Sequence, residues 1–279
     1  TISIAASAEG LQALATLRPD SAETAPTIDV KLIATQEATT DPLLPFIKAR
    51  VTQRLPLTTR PLTGGQKRSL EQAVPEGFRV VWIDGDAGRR KVAKLLFHNA
   101  HIRLTTPEAY EVHRQNIEWG VQVSEDRIPE GALGIDLPTR KIMRWALHSW
   151  QRVQFLNRFF AGTWLPRLQM DWRTGLGCAA HFVILSDKPM AAVGDYLAGG
   201  RAVQRFWLEA TRLGLQFQPE MTPIIFSRYV EEGRKFTSVE AEQALAERLA
   251  KALTQLVDAG ESATQRVYMG RIGFGAAPQ

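Results

Sequence analysis

The stretch Ala198–Ile224 reads AGGRAVQRFWLEATRLGLQFQPEMTPI and holds the strongest fold signal in the chain. Its apolar side chains recur at helical spacing, at Val203, Phe206, Trp207, Ala210 and Leu213. A helix that is apolar over so much of its surface belongs at the centre of a fold. Gly214 predicts the helix end, and LQFQP reads as a short extended segment. The stretch therefore predicts a central helix that leads directly into a strand.

Strand and helix patterns alternate irregularly on both sides of this stretch. Strands are predicted at residues 28–34, 78–84, 178–186 and 264–274. Helices are predicted at residues 5–17, 42–50, 67–74, 87–104, 107–119 with Thr106 as N-cap, 139–160, 187–213, and 237–260 with Gly260 as the end. This irregular alternation indicates an α+β fold with one central sheet.

Composition excludes several classes of protein. With 44% apolar and 23% charged residues the chain is neither disordered nor fibrous. The longest uncharged stretch, residues 174–186, is too short to cross a bilayer. Cys178 is the only cysteine, which excludes an internal disulfide and a cysteine-based zinc site. The first twenty residues lack the basic leader of a signal peptide, so we expect a cytoplasmic protein. They also lack an initial Met, so we expect the sequence to be a piece of a longer chain.

The net charge of +5 is unevenly distributed. Residues 46–68 carry six basic and no acidic residues, and residues 140–173 carry seven basic residues against Asp171 alone. The rest of the chain is acidic. Two separate basic zones favour discrete anionic ligands and a small-molecule substrate over a continuous nucleic-acid footprint.

The first basic zone contains Arg50, Thr52 and Arg54 on alternate positions. Arginine carries five donors in a fixed geometry that suits phosphate, and a hydroxyl between two guanidinium groups adds a neutral donor. The alternative interpretation is an exposed basic helix end that contacts only water. The local pattern leaves both open.

Several stretches resemble known functional motifs but lack part of the required pattern. The GLGCAA stretch at residues 175–180 imitates a dinucleotide-binding fingerprint but runs into a strand instead of opening a helix. His98 and His101 share a helix face without a third metal ligand at a fixed spacing, so no metal site is predicted. No Ser-His-Asp arrangement is apparent. If the protein is an enzyme, we expect a cofactor to carry the difficult step.

Three stretches together resemble the FMN-dependent nitroreductase family, and most closely its Acg-like branch, in which one chain holds two related halves that mimic a homodimer. The stretches are ARVTQRLPLTTRPL, GGRAVQRFWLEATRLGLQFQP and YMGRIGFG. The resemblance implies an α+β fold with a nitroreductase-like, mostly antiparallel central sheet flanked by helices. It also implies that residues 1–45 are the tail of a first half and that residues 46–279 form the second half, packed as one domain.

The same resemblance implies a flavin site and an activity. Arg50, Thr52, Arg54 and Arg271 match the positions that hold the FMN phosphate. The main chain of four residues would lie beside the flavin ring, namely Gln218, Pro219, Glu220 and Met221. The activity implied is ping-pong hydride transfer from NAD(P)H to nitroaromatic or quinone-like acceptors, with the flavin carrying the chemistry and no catalytic side chain. A non-catalytic FMN-sequestering protein of the same fold is the alternative, and a surface-binding scaffold is a third.

One family feature is missing. The upstream Pro-Ser-x-x-Asn-x-Gln-like stretch that lies near the flavin in Acg-like proteins does not occur here. We therefore expect a second chain or a missing segment to complete the flavin site, unless the site is degraded.

Residues 143–172 interleave aromatic residues with arginines. Three interpretations compete: a helix pair whose aromatic side chains are core, a lid over the flavin whose arginines attract NAD(P)H phosphates, and an amphipathic surface for an anionic membrane or partner.

Overall fold

The computed structural model describes residues 1–22, 24–35, 39–160, 162–257 and 263–278. Strands in the described residues form three separate sheets. They are β1 (Leu11–Leu17), β2 (Ile28–Ala34), β3 (Phe78–Asp84), β4 (Ile117–Glu118), β5 (Ile128–Pro129), β6 (Ala180–Ser186), β7 (Gln216–Pro219) and β8 (Arg266–Gly273).

Helices surround the largest sheet. They are α1 (Ile2–Ser7), α2 (Gly64–Ala73), α3 (Gly85–Thr105), α4 (Pro107–Asn116), α5 (Leu137–Ala146), α6 (Trp150–Phe159), α7 (Trp164–Arg167), α8 (Arg173–Leu176), α9 (Val193–Arg212), α10 (Thr222–Glu231) and α11 (Glu240–Val257). Short 3₁₀ turns lie at Leu44–Phe46, Glu130–Leu133 and Ala263–Gln265, and a π-helical turn spans Leu168–Trp172.

The central sheet has the strand order β3-β6-β8-β7, and every pairing in it is antiparallel. Strand β6 is buried along its whole length because helices cover both faces of the sheet. Its side chains alternate between two cores: Phe182 packs with the α9 side, and Val183 packs with α3 and α11. The expected α+β class, with a central antiparallel sheet flanked by helices, is confirmed.

Helix α9 and strand β7 form as their sequence predicts. The helix buries Phe206 and Trp207, and Trp207 stacks on Phe217 of β7 with ring centroids 4.1 Å apart. Gly214, at φ +70°, ends the helix and lets the chain reverse into β7. Each fully buried aromatic side chain here contributes roughly 1.5–3 kcal/mol of hydrophobic stabilisation.

The predicted helix at residues 5–17 is wrong. Helix α1 ends at Ser7, Gly10 takes φ +67°, and Leu11–Leu17 is a strand paired antiparallel with Ile28–Ala34. Backbone pairing with a second strand outweighs the helical spacing of the leucines, and Gly10 separates α1 from the strand that contains them.

Other boundaries shift for local reasons. The predicted helix 42–50 is only a 3₁₀ turn at Leu44–Phe46. The predicted helix 139–160 is two helices, because the Ser149 hydroxyl accepts the Arg152 backbone N–H and starts α6 afresh. Thr106 precedes α4 as predicted, but its hydroxyl donates to the Ile102 carbonyl instead of capping. The predicted end at Gly260 lies outside the described residues.

The first 45 residues contact the rest of the chain through a small cluster. Ile4 and Leu43 pack against Leu208 of α9, and Arg205 forms an ion pair with Asp41 at 2.6 Å. The division into a first-half tail and a second half stays a prediction. No helix in the described part of the chain is long and apolar enough to span a membrane.

Candidate functional site

A cavity of about 950 Å³, called the first cavity below, lies between the β7–β8 edge of the sheet and a helical cover. The sheet side contributes Arg54, the β7–α10 junction and Arg271, while α3 to α7 and the π-helical turn form the opposite wall. Most of its walls are apolar, with Leu104, Leu133 and Met143 among them. Apolar walls with a few polar groups are typical of small-molecule sites, and this volume lies within their usual range.

The structure brings most of the predicted site residues together. The first cavity is lined by Arg54, Gln218, Pro219, Glu220, Met221 and Arg271. Two predicted residues do not line it. Arg50 lines a second cavity of about 330 Å³ and lies over the Trp207 ring at 4.2 Å. Thr52 is half-buried and lines neither of these cavities.

The backbone explains why Arg50 and Arg54 diverge. The Arg50 N–H donates to the Phe46 carbonyl, four residues back, so Arg50 still belongs to a helical turn. Extended backbone follows, and the Gln53 N–H donates to the Phe217 carbonyl of β7. Residues two apart share a face only when both lie in extended backbone, and this condition fails at Arg50.

Arg54 carries an unpaired positive charge in the first cavity, and a group of this kind is called an open cation below. Its guanidinium is half-buried, burial lowers its pKa, and no carboxylate or hydrogen-bond acceptor partners it among the described residues. Gly134 approaches Arg54 closely from the cover: at φ +74° a Cβ there would lie 3.1 Å from the Arg54 Cβ. A partly desolvated cation without a counter-ion favours an anionic ligand.

Arg271 holds the segment that presents Arg54. Its Nη2 donates to the backbone carbonyls of Arg54 at 2.9 Å, Gln53 at 3.4 Å and Leu55 at 3.5 Å. Its Nη1 lies 3.6 Å from Glu220 Oε1, and burial lowers its pKa while Glu220 opposes the change. Arg271 therefore fixes backbone beside the cavity, and its Nε lacks a hydrogen-bond partner.

Behind Glu220 lies a buried histidine cation. His181 Nδ1 is 2.7 Å from Glu220 Oε2, and its Nε2 is 2.8 Å from the Gly175 carbonyl, which can only accept. Burial opposes a charge on His181, but Glu220 and Cys178 outweigh it and raise the pKa of His181 to about 10. Both ring nitrogens therefore donate, and the pair is imidazolium and carboxylate at neutral pH.

The first cavity also contains an acidic side chain, Asp171, for which the sequence predicts no role. The π-helical turn places Asp171 in the cavity wall, 3.7 Å from Arg103, with its Oδ2 lacking a hydrogen bond. Burial raises the pKa of Asp171 to about 6, with Arg103 opposing. Burial and Arg103 lower the pKa of His113, so His113 is neutral. Wide turns of this kind are frequent at functional sites, but the sequence offered only the isolation of Asp171 among basic residues.

The aromatic and basic segment forms part of the cover. Met143, Val153 and Leu156 line the first cavity. Five of its aromatic side chains are at least 43% exposed, namely Trp145, Phe155, Phe159, Phe160 and Trp164. The interpretation of these aromatic residues as core is therefore wrong for those five, while the lid and the amphipathic surface for a membrane or partner both stay predictions.

Fold and site together define an α+β protein with a large apolar cavity that carries an excess of positive charge. The residues present fit FMN: Arg54 offers an open cation for a phosphate, the apolar walls accept a flat ring, and Gln218 Oε1 is a buried acceptor without a donor. In the described residues no group of three or more His, Cys, Asp or Glu side chains is arranged to hold a metal ion.

Comparisons with known proteins find no matching family model and no matching curated protein. Solved structures that resemble the chain include nitroreductases and a nitroreductase-like protein. A nitroreductase-like family protein from Bacillus cereus is 15% identical at TM-score 0.41, with 86% of this chain and 90% of that chain covered. A nitroreductase with bound FMN from Bacteroides fragilis is 13% identical at TM-score 0.42, with 85% and 90% covered.

An iodotyrosine deiodinase bound to FMN and 3-iodo-L-tyrosine is also similar, 14% identical at TM-score 0.39 with 85% and 91% covered. Similarities this distant do not carry any of these proteins' activities over to the present chain.

Proposed function

We propose that this chain is an FMN-dependent oxidoreductase of the nitroreductase type, which takes electrons from NAD(P)H and passes them to a nitroaromatic or quinone-like acceptor. One observation carries the proposal: the open cation of Arg54 lies in the same apolar cavity as Gln218–Met221. FMN presents a dianionic phosphate at one end and a flat, largely apolar ring at the other, which matches this arrangement.

Each residue has a proposed role. Arg54 binds the phosphate, the main chain of Gln218–Met221 lies beside the ring, and Arg271 positions the carbonyls that carry Arg54. In this proposal Arg50 and Thr52 do not contact FMN, because they lie outside the first cavity. Bound FMN would supply the two-electron chemistry. Asp171, in the cavity wall, holds a proton below its raised pKa and releases it above.

The test compares FMN with riboflavin, which lacks the phosphate. Purified protein is titrated with each flavin, and binding is followed by quenching of flavin fluorescence. Charge-assisted hydrogen bonds contribute about 1.5–3 kcal/mol, so Arg54→Gln should weaken FMN binding by roughly 10- to 150-fold. Riboflavin binding should change little. Arg60→Gln is the matched control, since Arg60 lies in the same segment, is exposed and does not line the cavity.

Two results separate the alternatives. Bound FMN without NAD(P)H oxidation would identify a non-catalytic flavin-binding protein. A protein that binds neither flavin, or an Arg54→Gln variant that retains its preference for FMN over riboflavin, would refute the proposed site. The Acg-like assignment, the cytoplasmic location and a completing chain or segment stay predictions.

A further inference from the structure

The second cavity lies between the start of α9, the start of β8 and α10. Its lining includes Arg50, Tyr196, Val203, Trp207, Arg228 and Tyr268. At about 330 Å³ it is at the small end of ligand sites, and it shares no lining residue with the first cavity. Its occupancy is therefore a separate question from flavin binding.

The lining contains three arginines and no carboxylate. Two of the arginines are engaged: Arg228 donates to Glu232 and to the Met190 carbonyl, both at 2.8 Å, and Arg266 donates to Thr254 at 2.8 Å. Arg50 differs, since in the described part of the chain its guanidinium has no carboxylate and no hydrogen-bond acceptor. The cavity therefore offers one open cation.

That cation lies over one aromatic ring, that of Trp207. The Arg50 guanidinium lies 4.2 Å from the Trp207 ring centroid, and Trp207 is itself fixed by stacking on Phe217 and by donating its indole N–H to the Val51 carbonyl at 3.3 Å. A guanidinium fixed in this way loses little conformational freedom when it binds a planar anion.

The other walls are aromatic and neutral. Tyr196 lies under the Arg228 guanidinium at 5.0 Å. Burial raises the pKa of Tyr268, with Arg50 opposing, so its phenol is neutral at pH 7. Gly200 leaves the surface of α9 bare at the cavity, because a Cβ there would meet nothing within 4 Å.

We propose that the second cavity binds a small planar aromatic monocarboxylate. Arg50 pairs with the carboxylate, and the aromatic ring lies among Tyr196, Tyr268 and Val203. One open cation matches one negative charge, and the aromatic walls offer contacts to a planar ring that inorganic phosphate lacks.

The test uses benzoate, its neutral isostere benzamide, and inorganic phosphate, with calorimetry or saturation-transfer NMR on the purified chain. We expect benzoate to bind about tenfold or more tightly than benzamide, because only benzoate forms a charge-assisted pair. Arg50→Gln should reduce this preference to near unity. The control is Arg201→Gln. Arg201 is exposed on α9 and does not line the cavity, so this variant should keep the preference for benzoate over benzamide.

A second variant keeps the test decisive if Arg50→Gln does not fold. Gly200→Leu adds a side chain at the mouth of the cavity and replaces a helix-weakening residue on an exposed position, so the fold should tolerate it. It should weaken both aromatic ligands by about tenfold or more through exclusion. Equal binding of benzoate and benzamide, phosphate binding tighter than benzoate, or benzoate binding unaffected by Gly200→Leu would each overturn the proposal.

Discussion

Replacing Glu220 with glutamine removes the counter-ion of a buried cation. His181 Nδ1 and Glu220 Oε2 are 2.7 Å apart, and both side chains are at most 4% exposed. At an effective dielectric constant of about 20, their attraction is about 6 kcal/mol before desolvation. Breaking a buried pair from one side costs about 3–5 kcal/mol, so we expect Glu220→Gln to lower the free energy of unfolding by that amount at neutral pH.

The assay is urea unfolding followed by tryptophan fluorescence, with His181→Gln and the double variant completing a mutant cycle. The single variants should each be strongly destabilised, and the double variant less than their sum, because it leaves no unpaired imidazolium. Arg271 loses its Glu220 partner in Glu220→Gln and in the double variant alike, so that loss cancels in the cycle. Glu111→Gln is the control: Glu111 pairs with Arg114 at 2.8 Å on an exposed helix face, and its loss should change stability little.

The pH dependence gives a second readout. The pKa of His181 is raised to about 10, so its stabilising contribution is present below the unfolded-state pKa of about 6.5 and is lost as pH rises through about 10. The stability advantage of the native chain over His181→Gln should therefore begin to narrow above about pH 6.5 and be lost by about pH 10. An advantage that stays constant over this range, or a loss below about 1 kcal/mol in Glu220→Gln, would refute the assigned charge state.

Two further predictions concern stability at other sites. Asp171→Asn should stabilise the protein at pH 7 by at most about 3 kcal/mol, because the raised pKa shows that the ionised carboxyl is unfavourable in the fold even with Arg103 beside it. This gain in the free energy of unfolding should fade as the pH falls towards about 4. Urea unfolding at several pH values measures it, and a gain that is constant with pH would contradict the reasoning. Gly199→Ala should lower stability by about 1–2 kcal/mol, because its Cβ would lie 2.8 Å from Val267 Cγ1. Gly200→Ala is its control, and thermal unfolding should show a gain of up to about 1 kcal/mol; equal effects would contradict the packing argument.

Much of the central fold was predictable from local patterns. Strand β6, buried throughout, reads as a continuous apolar run, and α9 is marked by its apolar surface and by Gly214. The hairpin of β1 and β2 was not predictable, because its leucines fit a helical spacing and only pairing with a distant segment selects the strand.

The candidate site was predictable in part. Arg54 and Arg271, over two hundred positions apart, line one cavity as the sequence suggested. Arg50 does not join them, because a hydrogen bond four residues back keeps its backbone in a turn that residue types do not reveal. Asp171 was missed because its direction depends on a π-helical turn, for which no sequence pattern is diagnostic.

The hydrogen bonds from Arg271 to three backbone carbonyls link β8 to the segment that carries Arg54. Opening of β8 breaks these hydrogen bonds, so we expect the Arg54 segment to open together with it. A ligand bound to Arg54 should then protect amide protons of β8 that the ligand does not contact. At a ligand concentration of about 100 times its Kd, the free energy of the opening that exposes these protons should rise by about 2.7 kcal/mol. The carboxyl-terminal strand thereby reports, by hydrogen exchange, on the occupancy of the first cavity.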